Sequence, residues 1–316
     1  MSRAGLIAVL VVIGTGWGIT QPLLKISVSD GHGAFGLIFW QQVVMVLGLG
    51  ALMAVTRRRL PVDAGSLRAY LVIALIGTVL PNSASYRAAV HLPAGVMSIM
   101  LSLIPMLAFP VALVMGVERF RPARLLGLAA GLGAVLLLVV PDASLPDRAM
   151  VPWVGVALLA GISYAFEGNF VARYGTGRAD AIQTIFGASV VGAMLVWPLV
   201  AITGQSIPAQ AAFSMAGAAL IASSLIHAAV YVGYVWLVAR AGSVFAVQCS
   251  YIVTISGVFW AMVLLGESYS PYIWASLALM LVGLALVQPR DTGTLVAPDG
   301  MGQTGAGGDI RLTDGR

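Results

Sequence analysis

Chemistry in this chain is confined to a few polar side chains set inside long apolar runs. Glu167 stands at helical spacing from Tyr164 and close to Asn169. A carboxylate in apolar surroundings has to be neutralised, paired or hydrated. Glu167 therefore reads either as a group that binds and releases a proton or faces a substrate amine, or as an anchor near a helix end that reaches Arg173 or the headgroups. Ser223, His227, Tyr231 and Tyr234 recur at intervals of four, four and three, which is one face of a helix. His227 is then either an interhelical hydrogen-bonder or part of a polar pathway, and Glu167 and His227 are the two candidates for ion coupling.

The rest of the candidate substrate-binding set is spread along the chain. Trp17 and Gln21 share a face after Gly14 and Gly16, whose small size also suits helix packing. Gln41 and Gln42 follow Trp40, and an amide in hydrocarbon needs a partner or a cavity. Asn82 and Tyr86 follow Pro81, which removes a donor and frees the carbonyl of Gly77. Ser102 lies on a stripe with Ser98 and Pro105, while Gln248 and Tyr251 are three apart. Tyr164, Glu167 and the Ser223, His227, Tyr231, Tyr234 stripe complete the set. No catalytic, metal or cofactor chemistry accompanies it. Lys25 follows leucine, so the P-loop lysine is missing, and neither H-E-x-x-H nor G-x-S-x-G occurs. Three scattered histidines and the lone Cys249 make neither a metal site nor a disulfide.

Composition says where these residues reside. Of 316 residues 59% are hydrophobic and 9% charged, against about 25% charged in soluble domains. The chain is a polytopic membrane protein, with the lipid bilayer as its first partner. The net charge of +5 comes from arginines clustered between apolar runs, with Lys25 the single lysine. That arrangement marks membrane orientation rather than nucleic-acid binding.

A hydrocarbon core about 30 Å thick needs roughly 20 apolar residues per helix. Charges, prolines and polar clusters cut the chain into ten such spans, near 4–24, 33–55, 67–90, 94–116, 122–141, 151–172, 181–203, 211–238, 242–265 and 271–288. The first has no small-residue cleavage site after it and reads as a span rather than a signal peptide. With the N-terminus cytoplasmic, the outer side holds only Lys25, Arg87 and Arg148, and every other arginine falls inside. The positive-inside rule asks for such a split. Both termini are thus expected in the cytoplasm of a bacterial-type inner membrane.

The two halves repeat. Shifting residues 101–138 by 149 positions lays Ala112, Glu118, Pro122 and Leu132 on Ala261, Glu267, Pro271 and Leu281. A charge and a proline at fixed spacing in so apolar a chain indicate duplication. Five spans per half is odd, so the halves enter the membrane in opposite senses, and such inverted repeats place a transporter's substrate site near the midplane between them. Glu118 and Glu267 each end a span before a proline-started one. There a carboxylate can accept orphan N–H groups and oppose a positive helix end, which with Pro122 and Pro271 makes them structural helix ends; a proton-carrier role is the competing reading.

Trp17-Gly18, Pro105 followed by Glu118, and the echo Gly266-Glu267 over two five-span repeats resemble the EamA family of the drug/metabolite transporter superfamily, from about residue 4 to 288. The second repeat departs from the first in Thr254 for Pro105 and Tyr164 for Trp17. The resemblance implies ten helices, both termini inside, and export or less often import of small metabolites. The expected fold is all-α and integral to the membrane, ten transmembrane helices in two inverted five-helix repeats: 1–141, an external linker 142–150, 151–288, and a disordered cytoplasmic tail 289–316. The expected function is secondary active transport of a small solute, such as an amino acid or related organic metabolite, by alternating access in the export direction, with proton or ion coupling. A non-transporting membrane sensor or assembly protein is the alternative. The Gly127 and Gly131 pair is expected to pack on the tenth span rather than on a second copy, so the chain is read as a monomer.

Overall fold

A computed structural model describes residues 2–287. The tail expected at 289–316 lies outside the described residues. Every regular element among them is helical. The first half contains α1 (Arg3–Gly18), α2 (Thr20–Ser27), α3 (Ala34–Val55), α4 (Ala64–Val72), α5 (Leu80–His91), α6 (Ala94–Leu101), α7 (Ile104–Val114) and α8 (Pro122–Val139). The second contains α9 (Val151–Tyr174), α10 (Ala181–Thr203), α11 (Met215–Ala241), α12 (Ser243–Ala246), α13 (Cys249–Leu265) and α14 (Pro271–Val287).

Joined end to end where the chain continues without a loop, these make eight helices among the described residues that are long and apolar enough to cross a bilayer, with α13 and α14 as shorter apolar helices. The ninth expected span, 242–265, is divided at residues 247–248, so α13 keeps 17 residues. Large apolar side chains point outward: Val114, Ile202 and Phe213 are 89%, 82% and 93% exposed. Such a surface is stable against lipid rather than water.

The helix pairings reproduce the duplication. α8 packs on α14 and α3 on α10, each joining corresponding elements of the two halves, and α6 packs on α13, joining the fourth span to the ninth. The other main contacts come in exchanged couples: α1 against α13 answers α9 against α7, α11 against α1 and α2 answers α5 against α9, and α3 against α11 answers α10 against α4. Swapping the halves exchanges the two members of each of these couples.

Small residues set the closest approaches. A Cβ on Gly127 would lie 2.8 Å from the Gly283 carbonyl oxygen, and one on Gly18 would lie 2.8 Å from the Gly257 nitrogen. Gly14 and Gly18 of α1 thus pack against α13, while Gly16 meets Val230 of α11; on α8 Gly127 packs against α14 as expected, but Gly131 meets Met106 and Leu103 at the start of α7 instead. Because the obstacle at Gly18 is backbone, it cannot rotate away. Gly18→Val is expected to destabilise by about 1–3 kcal/mol, the usual penalty of overpacking, read as a lower thermal midpoint in detergent.

Two helices depart from regular geometry. Between α4 and α5 the chain widens into a π-helical stretch, Ile73–Val79, and the Leu80 amide donates to the Leu75 carbonyl five residues back. Pro81 supplies no N–H and crowds the turn before it; widening resets the ladder ahead of the proline, a feature frequent at functional sites. The fourth span also breaks, at Ser102 and Leu103 between α6 and α7, just before Pro105. Each half therefore carries a broken helix, α6–α7 and α12–α13, at different points of the repeat.

Candidate functional site

Seven of the fifteen predicted binding residues gather into two networks, one from each pairing of halves. In the first, α5 lies between α3 and α9. Asn82 Nδ2 and the Tyr86 hydroxyl both donate to Gln41 Oε1 at 3.1 Å, and the Tyr164 hydroxyl donates to Asn82 Oδ1 at 3.0 Å. In the second, Trp17 of α1 donates from Nε1 to His227 Nδ1 of α11 at 3.2 Å. The Trp17 ring also meets His227 and Tyr234 edge-on, at centroid distances of 5.5 and 5.8 Å. Trp17 and Tyr164 are equivalent in the repeat, and so nearly are Tyr86 and Tyr234. Both halves use one device, an aromatic donor on the opening helix reaching a polar side chain on the opposite half, with different residues.

Glu167 stands apart from both networks. It projects from α9 toward the π-helical stretch, where a Cβ on Gly77 would come within 2.8 Å of its Cγ. The absent side chain at 77 gives Glu167 its seat. Ion pairs among the described residues join Arg58 to Asp180, Arg124 to Glu118 and Arg148 to Asp142, and none includes Glu167. Arg173 places its guanidinium over the Tyr174 ring, 5.9 Å from the centroid. His227 is engaged by Trp17 and forms no ion pair with Glu167. The half-buried Ser223 lies two turns before Tyr231 on α11.

Other members of the set fall elsewhere. Gln42 is buried against α10, where a Cβ on Gly192 would overlap its amide. Among the described residues its Nε2 has no partner. Adjacent glutamines thus point to different sides of α3, since successive helical residues diverge by about 100°. Ser102 donates to the Ile99 carbonyl at 2.7 Å and is buried in the helix break. Gln21 is half-buried on α2, Gln248 exposed at the turn before α13, and Tyr251 packed against the apolar cluster around α6, α8 and α14.

The two repeated glutamates are treated differently. Glu267 accepts from the amides of Ala94 at 2.7 Å and Gly95 at 3.1 Å and from the Tyr269 hydroxyl at 2.6 Å. It covers the positive end of α6, a helix of the other half, rather than that of α14, which follows it. Glu118 instead forms an ion pair with Arg124 in the first turn of α8. Lys25 donates to the carbonyls of Ala89 at 2.6 Å and Val90 at 3.1 Å. A cation thus closes the carbonyl end of α5 and an anion the amide end of α6, so the hairpin between them is held by charges opposite to its helix dipoles. The reach of Lys25 and the contribution of Tyr269 have no sequence signal beyond their nearness to helix ends.

A duplicated bundle of apolar helices, with its polar side chains turned toward the junction of the halves, defines a membrane-transport class of protein. The sequence matches the EamA-like transporter family over residues 4–140 and again over 151–288. The chain belongs to that family, and membership makes it a transporter of the drug/metabolite type in a membrane. A crystal structure described only as that of a protein shares the fold, with a TM-score of 0.60 at 16% identity over 90% of this chain and 96% of the other. No curated protein sequence matches.

Proposed function

We propose that the chain is a secondary transporter that exports a small organic metabolite, an amino acid or a related solute, by alternating access. The observation that carries the reading is the unequal state of two equivalent hairpins. Lys25 and Glu267 hold the α5–α6 hairpin at both ends. Under the 149-residue shift, Ala94 and Gly95 become Ser243 and Val244, and Glu267 becomes Glu118. Glu118 is occupied by Arg124 instead. One gate is latched and its counterpart released, which is the asymmetry that rocking between duplicated halves requires. In the opposite state Glu118 leaves Arg124 and takes the amides at the start of α12, while Glu267 lets α6 go.

In this reading the two polar networks and Glu167 line the pathway. Trp17, Tyr164, Asn82, Tyr86, Tyr234 and His227 contact solute, and Glu167 carries the coupling proton. The halves are residues 1–141 and 151–288, inverted and joined by the outer linker 142–150. α13 and α14, each of 17 residues, cross as the ninth and tenth helices at the short end of the spanning range. Both termini face the cytoplasm of a bacterial-type inner membrane, and the monomer is the working unit.

Two measurements test this. Uptake and counterflow in proteoliposomes, with solutes chosen by thermal stabilisation, test transport itself; a ligand at 100 times its Kd adds about 2.7 kcal/mol. Cysteine labelling tests the topology and is simplified because the sole native cysteine, Cys249, is buried. Cysteines at Asp63, in the 119–124 loop, at Arg178 and in the tail are expected to label from inside, and those at Asp30, Asp147 and Gln205 from outside. Labelling of Gln205 from the same side as the tail would remove the ten-crossing inverted arrangement.

A further inference from the structure

A cavity lined by neither Glu167 nor any member of the two polar networks lies on the lipid-facing side of the bundle. It holds about 510 Å³ between α3 and α11, roofed by the short helical turn Ala209–Phe213. Its walls include Leu37, Trp40 and Val44 of α3, and Leu220 and Leu225 of α11. Trp40 fixes the roof by donating to the Ile207 carbonyl at 3.0 Å. The floor is at Gly48, where a Cβ would touch Leu225 at 3.3 Å. From Leu37 to Gly48 the groove runs about 16 Å at the helical rise, close to one leaflet of a hydrocarbon core about 30 Å thick. Leu47 and Leu225, at 67% and 46% exposed, open it sideways. A groove of this lining and direction, facing hydrocarbon, accommodates an acyl chain.

The upper end of the groove has a different chemistry. His32 and Leu37 also line a second cavity of about 230 Å³, shared with Arg87, Tyr86 and Gln205. The Arg87 guanidinium lies over the Phe35 ring, 5.4 Å from its centroid, and Arg87 takes part in none of the ion pairs among the described residues. A cation with no counter-ion among the described residues therefore stands at the head of a one-leaflet apolar groove. We infer that this is a phospholipid site, with an anionic headgroup phosphate at Arg87 and His32 and one acyl chain along α3 and α11 as far as Gly48. Because α3 and α11 also carry Gln41 and His227, the lipid braces the helices that bear the polar networks.

The test is lipid retention by the purified full chain in detergent, with phosphatidylglycerol as probe and native mass spectrometry as readout. Wild type is expected to retain one phosphatidylglycerol. Gly48→Leu and Val44→Phe, which fill the groove, should lower its retention about tenfold, the effect of losing about two buried methylenes. Arg87→Gln should weaken phosphatidylglycerol more than phosphatidylcholine, whose phosphate is already offset by its choline cation. Chain-brominated phosphatidylglycerol should quench Trp40, isolated by subtracting the Trp40→Phe signal, and the quenching should disappear in Val44→Phe. Val44→Phe carries the test if Gly48→Leu does not fold. Wild-type retention in a filled variant that still melts cooperatively would overturn the site, as would equal binding of both lipids with and without Arg87.

Discussion

Replacing Glu167 by glutamine is expected to abolish gradient-driven solute accumulation in proteoliposomes while solute binding and counterflow persist. Glutamine keeps the shape that fits against Gly77 but cannot exchange a proton. An anchor on Arg173 would need its guanidinium, which lies over Tyr174 instead, so the headgroups are the contact left to an anchor, and a fixed ion pair would need a cation that is absent from the ion pairs among the described residues. A half-buried carboxylate seated against Gly77 and in none of the ion pairs among those residues suits a group whose charge changes during the cycle. Loss of binding itself in Glu167→Gln would assign it to a substrate amine. Unchanged accumulation would remove it from the mechanism, and if His227→Ala then altered only stability, the proposed coupling pair would be dropped. His227→Ala is a separate measurement because its Nδ1 is taken by Trp17.

The second large effect is expected at Glu267. Glu267→Leu leaves two backbone amides and the Tyr269 hydroxyl without their acceptor. Hydrogen bonds to a charged group contribute roughly 1.5–3 kcal/mol each, so a loss of about 3 kcal/mol or more is expected, seen as reduced folded yield and a lower thermal midpoint. Glu267→Gln keeps an oxygen for the amides and should retain most of the stability. Glu118→Leu should cost less than Glu267→Leu, because it breaks one ion pair, with an Arg124 side chain that is 12% exposed, rather than three hydrogen bonds. Equal losses at the two positions would show that the hairpins are not in different states. Abolished transport by well-folded Glu118→Gln would show that Glu118 needs its charge, against a purely structural helix-end role.

What the sequence determined alone comes from rules that act locally. Apolar runs between arginine clusters define membrane helices because an unpaired charge cannot remain in hydrocarbon. The recurrence of Glu118-Pro122 as Glu267-Pro271 exposed the duplication because few charges and prolines occur by chance in such a chain. A lost backbone donor at Pro81 was legible too, since proline removes one wherever it stands, whereas the π-helical widening over Ile73–Val79 was not. Tertiary structure alone decided which polar residues meet. Gln41 and Gln42 are adjacent and equivalent in type, yet one joins Asn82 and Tyr86 while the other is packed on Gly192. Which side of α3 faces α5 and which faces α10 is set by packing of helices far apart in sequence. Glu267 was legible as a helix-end carboxylate, but the helix it covers begins 173 residues earlier in the chain. Lys25, Gly77 and Tyr269 acquire their parts only through contacts between helices distant in the chain, and no spacing along one stretch of sequence encodes a contact made between two.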